Sequence, residues 1–566
     1  MNTEHVTPWW QKAIQSGLIG GVVLVLASLI GMVESFHVRD IIAGEISMGE
    51  TLILLIVILF TFSASRDDGR SSLAIRLLSG VITGALTTGL LAGLVALGKT
   101  INLRTVFVNA SPALYKILTF ESENLNTAYA YLIGIGALIG VLTFLVHLIP
   151  ITYRRAILSG LAVALLFAML QDLLRIVLVP FPAVGDATAW MFGSRGQEGL
   201  TVNGALFVFL LVAAISYFRS TRGALIRART SSMPAGTQTA LRWTGWVLLG
   251  AFLLIWPRLA GPVLSDVSNS VGLFILMGLG LNIVVGYAGL LDLGYVAFYA
   301  LGAFTMGVLT TTGGEIFFDI RWTFWEALPF AIAVAVMAGI LLGIPVLKIR
   351  GDYLAIITLG FGEIIRILFL SDLLKPYFGG SFGIVLIDTP SIGSTHLNTP
   401  QTLYYIILGA CLVALFVAYR LRDSRIGRAW KAIREDEDVA QAMGINLTST
   451  KLMAFATGAA FGGLSGAIFA SKLSTVYPHS FTLITSINVL ALIIVGGMGS
   501  IPGVIVGALL LAGLPELLRE FSEFRLLIFG ILLIAMMLNK PEGFIPEAVH
   551  RREFHEDENL SPATGD

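Results

Sequence analysis

Long apolar runs, each followed by a short polar stretch, recur along the whole chain. Apolar runs of roughly 17 to 25 residues are long enough to cross a bilayer as helices, and the pattern predicts about sixteen of them. They lie at 17–33, 46–63, 73–97, 127–149, 156–180, 201–218, 243–259, 268–286, 291–312, 325–347, 352–373, 402–420, 452–471, 482–497, 499–518 and 522–540. The predicted fold class is therefore all-α, a polytopic integral membrane protein with six N-terminal helices and about ten more after residue 242.

An Arg-, Ser- and Thr-rich segment, RSTRGALIRARTSSMPAGTQTAL, is the clearest domain boundary and contains no acidic residue. It predicts four parts: an N-terminal six-helix membrane extension of unknown role at 1–218, a cytoplasmic basic linker at 219–241, a second membrane domain at 242–543 and a polar cytoplasmic tail at 544–566. No convincing internal repeat is visible in the sequence.

Basic residues collect in loops that fall on one side of the membrane if every predicted span crosses once. Loops on the cytoplasmic side are enriched in Lys and Arg. The basic residues in question are Arg66, Arg70, Arg76, Arg154, Arg155, the linker arginines, Lys348, Arg350 and the six cations from Arg420 to Arg434. Both termini are therefore predicted to be cytoplasmic.

The composition excludes several other classes of protein. Only 13% of the residues are charged, about half the share in soluble domains, and the net charge of zero gives no sign of a nucleic-acid partner. The single cysteine, Cys411, excludes an internal disulfide framework and a cysteine-based zinc site, and no HExxH motif occurs. No metal site is predicted.

The octapeptide GLVALGKT, residues 93–100, matches the phosphate-binding P-loop pattern letter for letter. A P-loop follows a strand and opens a helix, so that its backbone amides converge on phosphates. Here the intervening residues are apolar and continue the third predicted span, whose end at Lys99 and Thr100 faces away from the cytoplasm. We predict that this motif binds no nucleotide and that the chain has no ATPase site of its own.

The tetrapeptide GLSG, residues 463–466, has the form of the nucleophile motif of intramembrane serine proteases. A nucleophilic serine needs a base within hydrogen-bond reach, and of the seven histidines only His147 lies within a predicted span. The small residues of FATGAAFGGLSGAIFAS more simply predict close packing of two helices. The chain is therefore not predicted to be an enzyme.

Two charged pairs with a spacing of three residues fall on predicted helices. Glu363 and Arg366 lie inside the apolar run YLAIITLGFGEIIRILFL, where an unpaired charge costs roughly 2.5–3.5 kcal/mol, so they are expected to pair and to face protein or water. This pair is either structural or part of a transport path. Asp172 and Arg175 either line a polar interior or mark a helix end near the surface.

Polar groups and glycines in the second domain predict a path for the transported molecule. The side chains of Asn282 and Asn488 are expected to point inward. Four glycines surround Asp292 in GYAGLLDLGYVAFYALGA, a density typical of broken backbone beside a cavity at membrane depth. The candidate path residues are Asn282, Gly286, Gly289, Asp292, Tyr295, Thr358, Glu363, Arg366 and Asn488.

The loop 421–451 is the one long, highly charged excursion on the predicted cytoplasmic side. Its apolar residues recur at helical spacing and predict a single apolar face formed by Ala429, Ile433, Ala440 and Met443. Gly444 is placed to end the helix. Because a solvated loop needs no such face, this loop is expected to dock into a groove of another protein.

From about Trp243 to Gly543 the chain resembles the LivM-type permease subunit of branched-chain amino-acid ABC importers. The first 240 residues are not covered by this resemblance. The stretches that carry it occur in family order and are LNIVVGYAGLLDLGYVAFYALGAFT, RGDYLAIITLGFGEIIRILFL, GRAWKAIREDEDVAQAMGINLTSTKLMAFATGAAFGGLSGAIFA, INVLALIIVGGMGSIPGVIVGALLL and LPELLREFSEFRLLIFGILLIAMML.

The resemblance implies an ATP-driven complex in the cell membrane of a bacterium or archaeon. Its expected partners are a LivH-like second permease subunit, two cytoplasmic subunits that bind ATP and Mg, and an external substrate-binding protein, while this chain itself is expected to hold no cofactor. The loop resembles the EAA loop of ABC permeases, with Asp438 and Val439 in place of its Glu and first Ala. The residues expected to couple to the ATPases are Arg428, Ala429, Ile433, Asp438, Val439, Ala440, Met443 and Gly444.

The function that the resemblance implies is that of a permease subunit importing leucine, isoleucine and valine. Related permeases import urea or short amides and are associated with Ser and His at the positions that Asp292 and Tyr295 occupy here, which favours the amino-acid type. A different alternative is a secondary transporter driven by an ion gradient through Glu363 and Asp292. That alternative leaves the docking loop without a purpose.

Overall fold

A computed structural model describes most of the chain. The described residues are 8–66, 72–120, 122, 124–171, 174–175, 188–193, 199–231, 235–313, 321–346, 349, 352–393, 395–518 and 524–546. The chain divides into two compact units, Met1–Val247 and Leu248–Asp566.

Helices dominate the first unit. They run over Trp9–Leu29, Met32–His37, Met48–Ala64, Leu73–Thr100, Pro112–Leu118, Leu125–Leu148, Ile151–Met169 and Val202–Ser231, with short 3₁₀ turns at Leu103–Thr105 and Ala189–Met191. The strands Asp40–Ile42 and Ile46–Ser47 pair antiparallel. Ser47 then caps the next helix by accepting a hydrogen bond from the backbone N–H of Glu50, whose carboxylate reaches back to the Ser47 N–H.

The second group of helices follows residue 234. They run over Ala235–Leu281, Val296–Thr310, Phe324–Val346, Asp352–Leu370, Lys375–Phe378, Pro400–Arg422, Arg425–Glu435, Glu437–Ala442, Leu447–Leu473, Leu483–Gly496, Ile501–Ala508, Leu514–Leu517 and Arg525–Asn539. Asn282–Tyr287 and Leu509–Gly513 are π-helical, and Gly380–Phe382 and Pro478–Ser480 are 3₁₀ turns. Two antiparallel strand pairs join Ile384–Val385 to Thr475–Val476 and Ser391–Ile392 to Thr395–His396.

The helices confirm an all-α polytopic membrane fold. Among the described residues, eleven helices are long and apolar enough to cross a membrane, and four shorter apolar helices accompany them. One of the eleven, Trp243–Tyr287, covers two predicted spans and is interrupted at Gly261, whose φ of 69° lies in the left-handed region. The predicted total of about sixteen spans stays a prediction. The first helix begins earlier than predicted, because its polar first turns are helical as well.

Small residues let the helices of the second unit approach closely. The helix Leu447–Leu473 packs against both Val296–Thr310 and Phe324–Val346. A side chain on Gly302 would overlap the backbone of Gly463. The Ser465 hydroxyl, fully buried, donates a hydrogen bond to the carbonyl oxygen of Leu273 at 3.0 Å. The interpretation of GLSG as a helix-packing motif is therefore confirmed.

The P-loop look-alike lies at the end of a continuous α-helix in the first unit. Residues 93–100 are the last turns of Leu73–Thr100, so their backbone N–H groups take part in the helix and do not converge on a ligand. The helix that the apolar sequence around the motif predicts is therefore confirmed, and the expectation that the motif binds no nucleotide stays a prediction.

The second charged pair of the sequence falls partly outside the described residues. Asp172 is not among them, so its predicted pairing stays a prediction. The guanidinium of Arg175 donates a hydrogen bond to the carbonyl oxygen of Gly193 at 2.8 Å and lies 5.4 Å from the ring centroid of Phe192.

Candidate functional site

The backbone between two membrane helices of the second unit is irregular at 282–295, a segment called here the helix break. Its first part, Asn282–Tyr287, is a π-helix with every residue buried, and π-helical turns occur mostly at functional sites. The Asn282 side chain points inward, as predicted, and its Oδ1 accepts a hydrogen bond from the N–H of Gly499 at 2.8 Å. A β-carbon on Gly286 would overlap that same amide oxygen, so this position requires glycine.

The second part of the helix break is a buried polar cluster around Asp292. The carboxylate is fully buried, and its Oδ1 accepts a hydrogen bond from the N–H of Gly294 at 2.9 Å. The hydroxyl of Thr358 accepts one from the N–H of Leu293 at 3.0 Å, and a β-carbon on Gly294 would overlap the Thr358 carbonyl. The helix Asp352–Leu370 is thereby held directly against the break.

Tyr295 closes the break on its other side. Its hydroxyl donates a hydrogen bond to the carbonyl oxygen of Gly458 at 2.8 Å, on the helix Leu447–Leu473. Asp292, Tyr295 and Thr358 are all fully buried, so in this conformation none of them faces an open path. Their assignment to the translocation path stays a prediction.

The predicted docking loop folds as two helices and not as one. Residues 425–444, the docking segment, consist of Arg425–Glu435 and Glu437–Ala442 with extended backbone at Asp436 between them. The Asp436 carboxylate accepts hydrogen bonds from the N–H groups of Asp438 (2.8 Å) and Val439 (2.9 Å), which caps the second helix. The expectation of one continuous helical face is wrong because the first helix ends before Asp436 and this cap starts a new helix.

The apolar residues of the docking segment also divide between two sides. Ile433 and Ala440, predicted to face a partner, are buried within this chain, and Ala429 is half-buried. Val439 and Met443 are 59% and 79% exposed and lie four residues apart on one side of the segment. The exposed apolar surface is therefore smaller than predicted. Two further coupling candidates, Arg428 and Asp438, are exposed.

Gly444 ends the docking segment in the left-handed conformation that its position in the sequence predicts. Its φ is +89°, and no atom lies within 4 Å of the place that a β-carbon would occupy. The N–H of Ile445 bonds the carbonyl of Ala440 at 3.1 Å and that of Gly444 bonds Gln441 at 3.0 Å, the two bonds of a Schellman motif.

The docking segment is attached to the helix break by a charged hydrogen bond. Nη1 of Arg434 donates to the carbonyl oxygen of Gly286 at 2.5 Å. Gly289, with a φ of +69°, faces the Arg434 side chain, and Nζ of Lys431 lies 5.7 Å from the ring centroid of Tyr287. The docking segment thus contacts Gly286 and Gly289, two predicted path residues, through Arg434, which was not among the predicted coupling residues.

A second set of contacts attaches the docking segment to the helix Leu447–Leu473. The indole Nε1 of Trp430, fully buried, donates to the carbonyl oxygen of Thr450 at 2.9 Å. The ammonium of Lys451, also buried, lies 2.7 Å from the Glu437 carboxylate. Neither Trp430 nor Lys451 is among the residues predicted from the sequence. The large aromatic side chain of Trp430, within a loop otherwise rich in charge, is the signal that could have found it.

A charged pair also stands where the docking segment begins. The Asp423 carboxylate accepts two hydrogen bonds from the Arg422 guanidinium, at 3.0 and 3.1 Å. These bonds lower the pKa of Asp423 below its usual range.

Glu363 and Arg366 pair as predicted, at the surface of the second unit. Nε of Arg366 donates to both carboxylate oxygens of Glu363, at 3.1 and 3.0 Å, and Nη2 bonds Oε1 as well. The side chains are 42% and 24% exposed, respectively, and Asn488 is half-buried. The pair therefore faces outward from this unit, and among the described residues its hydrogen bonds do not reach Asp292.

The described residues contain no group of three or more His, Cys, Asp or Glu side chains that could hold a metal ion. Cys411 is buried, and its thiol lies 3.4 Å from the carbonyl oxygen of Gly272. The described part of the second unit thus contains packed helices, a broken membrane helix and a docking segment that is partly exposed.

Comparisons with known proteins agree on one family. Residues 263–538 match the family model described as "Branched-chain amino acid transport system / permease component". The chain is 40% identical over 326 residues to the high-affinity branched-chain amino acid transport system permease protein LivM of Salmonella typhimurium, covering 53% of this chain and 75% of that protein. It is 38% identical over 370 residues to LivM of Escherichia coli, covering 60% of this chain and 85% of the relative.

A weaker similarity extends to a second kind of permease. LivH of Escherichia coli is 29% identical over 155 residues, which cover 27% of this chain and 49% of that protein. No solved structure matches the chain. The match to LivM of Escherichia coli covers 60% of this chain, which is more than all the residues from Trp243 to the end. The similarity therefore begins before Trp243, earlier than predicted from the sequence.

Proposed function

Because this chain belongs to the branched-chain amino acid transport permease family and is a permease subunit of a branched-chain amino acid ABC transporter, we propose that ATP hydrolysis by partner subunits drives it through the docking segment. The docking segment would move the helix break, and the break would move the helix Asp352–Leu370, which carries Glu363 and Arg366. In this proposal the chain itself provides part of the path for the substrate, and the partner subunits hydrolyse ATP.

The observation that carries this proposal is the hydrogen bond between Arg434 and the carbonyl oxygen of Gly286. It joins the docking segment to the backbone of a broken membrane helix through the side chain of Arg434. Gly294, in the same break, is packed against Thr358. A displacement of the docking segment therefore acts on irregular backbone that already contacts the next helix.

The complex that we propose contains four kinds of partner. A second, LivH-like permease would pair with this chain, and two cytoplasmic subunits would bind ATP and Mg below the docking segment. An external binding protein would deliver the substrate, and the bilayer of a bacterial or archaeal cell would surround the helices. We propose that both termini are cytoplasmic, because the basic residues collect in loops on one side of the predicted spans and such loops are enriched on the cytoplasmic side.

The substrate class is branched-chain amino acids, and the relatives reported above are named for that activity. Their names favour amino acids over urea or short amides. We propose that leucine, isoleucine and valine are all carried, since the external binding protein and not the permease selects among them. Uptake of the three labelled amino acids and of labelled urea by the reconstituted complex tests this directly, and urea uptake without amino-acid uptake would contradict it.

The first experiment tests the docking surface. Val439 and Met443 are exposed on the docking segment, so changing both to Asp places two charges where an apolar contact with the ATPases is proposed. We expect the purified variant to insert normally but to lose the ATPase subunits during copurification.

The matched control adds the same two charges to the same region at polar exposed positions, Gln441→Asp with Thr448→Asp. This control is expected to keep the ATPases. Equal retention by both double variants would move the docking surface away from Val439 and Met443.

The second experiment tests the contact between the docking segment and the break. Arg434→Gln removes a charge-assisted hydrogen bond, which is worth roughly 1.5–3 kcal/mol, while leaving Val439 and Met443 in place. We expect ATPase binding and ATP hydrolysis to continue while uptake per ATP falls about tenfold or more. Arg420→Gln, at an exposed position on the preceding helix, is the control. Unchanged coupling in Arg434→Gln would show that movement reaches the membrane helices by another contact.

A further inference from the structure

A cavity of about 240 Å³ lies in the first unit, at the termini of three helices. These termini are the start of Trp9–Leu29, the end of Met48–Ala64 and the start of Leu73–Thr100. Side chains that line the cavity include Trp9, Lys12, Ser16, Ser63, Arg66 and Arg76. The cavity is therefore built from helix ends and is not part of the transport core in the second unit.

Among the described residues that line this cavity, three side chains are cationic and none is acidic. Among the described residues, no ion pair involves Lys12 or Arg66, and both side chains are exposed. Arg76 is only 7% exposed, and its Nε donates a hydrogen bond to the carbonyl oxygen of Ser65 at 3.2 Å, which fixes the guanidinium at the cavity wall. Asp67 and Asp68 follow in the sequence and lie outside the described residues.

The position of the cavity corresponds to a membrane border. Trp9–Leu29 and Leu73–Thr100 are long and apolar enough to cross a bilayer, and the cavity lies at their first turns. Trp9 and the exposed Trp10 stand at the same level, where tryptophan is enriched in membrane proteins. A cationic cavity at the border of a bilayer would lie at the depth of the lipid phosphate groups.

A second cavity, of about 460 Å³, shares Ser63 and Arg66 with the first. Its other walls are Leu59, Phe62, His147 and Arg154, with the rings of Phe62 and His147 4.1 Å apart between centroids. Arg66 thus stands between a polar cavity and one with aliphatic and aromatic walls. A free phosphate needs only the first, whereas a molecule with a phosphate head and hydrocarbon chains fits both.

We propose that these two cavities form a binding site for an anionic phospholipid, with its phosphate held by Lys12, Arg66 and Arg76 and its glycerol and upper acyl chains against Leu59 and Phe62. The site belongs to the first unit alone, so it does not depend on the proposed coupling route. Basic pockets between membrane helices are a known physical solution for binding such head groups.

The test uses the full-length protein in nanodiscs and native mass spectrometry to count retained lipids. The probes are phosphatidylglycerol, phosphatidylcholine and inorganic phosphate. Lys12→Gln combined with Arg66→Gln removes two cationic contacts and is expected to weaken phosphatidylglycerol binding roughly 30-fold. Arg104→Gln with Lys116→Gln, two exposed cations outside both cavities in the same unit, is expected to leave it unchanged.

A second measurement on the unmodified protein does not depend on how the variants fold. Rising salt concentration should weaken phosphatidylglycerol retention and leave phosphatidylcholine retention unchanged, because exposed charges are screened. Equal phosphatidylglycerol retention by the Lys12 and Arg66 double variant and by the unmodified protein would overturn the proposal. Inorganic phosphate binding as tightly as the lipid would overturn the assignment to a lipid and leave a simple anion site.

Discussion

Replacing Gly444 by valine isolates the contribution of backbone conformation to coupling. Gly444 has a φ of +89°, and a β-carbon there would meet no atom within 4 Å, so the β-carbon of a new side chain causes no clash. The remaining cost is that of holding an L-residue in the left-handed region, about 1–2 kcal/mol. A change of this size shifts the balance between the ordered and disordered ends of the docking segment by a factor of roughly 5–30.

The assay measures copurification of the ATPase subunits and ATP-driven leucine uptake in proteoliposomes. We expect Gly444→Val to express and insert normally, because the membrane helices are untouched, but to bind the ATPases more weakly and to lose most of its uptake. Gly444→Asn is the matched control, since asparagine adopts the left-handed conformation readily. Gly409→Val controls for the substitution itself, because Gly409 is exposed on a regular helix with no atom near its β-carbon position.

Two results would refute this reasoning. Uptake at the level of the unmodified protein in Gly444→Val would mean that the end of the docking segment is not part of the coupling route. A loss in Gly444→Asn as large as that in Gly444→Val would mean that any side chain at this position blocks the partner, so the left-handed backbone would not be the cause.

Three further predictions concern features outside the docking segment. Lys99→Ala should leave ATP hydrolysis and uptake by the complex unchanged, since Lys99 lies in the last turn of a continuous helix; a loss like that of a P-loop lysine variant in the partner ATPase would contradict this. Glu363→Ala and Arg366→Ala should each impair assembly or uptake more than the double variant does, because a single change leaves the other charge without its partner. Additive losses in the double variant would instead assign the two residues separate roles. A chain that begins at Thr239 should insert and still copurify with the ATPases, and normal insertion without complex formation would make the first unit part of the transport core.

Much of the fold follows from the sequence because a membrane leaves the backbone few choices. Apolar runs of sufficient length become helices there, since each backbone N–H and C=O group must bond within the segment. Three local features could also be predicted from the sequence. The small residues around Ser465 predict close helix packing, Gly444 is placed to end a helix, and Asn282 is expected to point inward; the structure confirms all three.

The docking segment shows where periodicity stops being informative. The spacing of Ile433, Ala440 and Met443 predicts one helical face, but the helix is broken at Asp436, and the spacing does not say what covers these residues. In the structure Ile433 and Ala440 are buried within this chain, whereas Met443 and Val439 are exposed. The first helix of the docking segment packs against the flanking helices Pro400–Arg422 and Leu447–Leu473 and against the distant π-helix Asn282–Tyr287, and the spacing of the apolar residues does not reveal these partners.

The contacts on which the proposed mechanism rests were decided by the tertiary structure alone. Arg434 and Gly286 are 148 residues apart, and neither has a local pattern that names the other. Glu437 and Lys451 are closer in sequence, yet their pairing depends on how the docking segment folds back against the next membrane helix. Helix formation in a membrane depends on each segment's own composition. Which helix ends meet depends on crossing angles set by many small residues, such as Gly302 and Gly463, distributed over the whole unit.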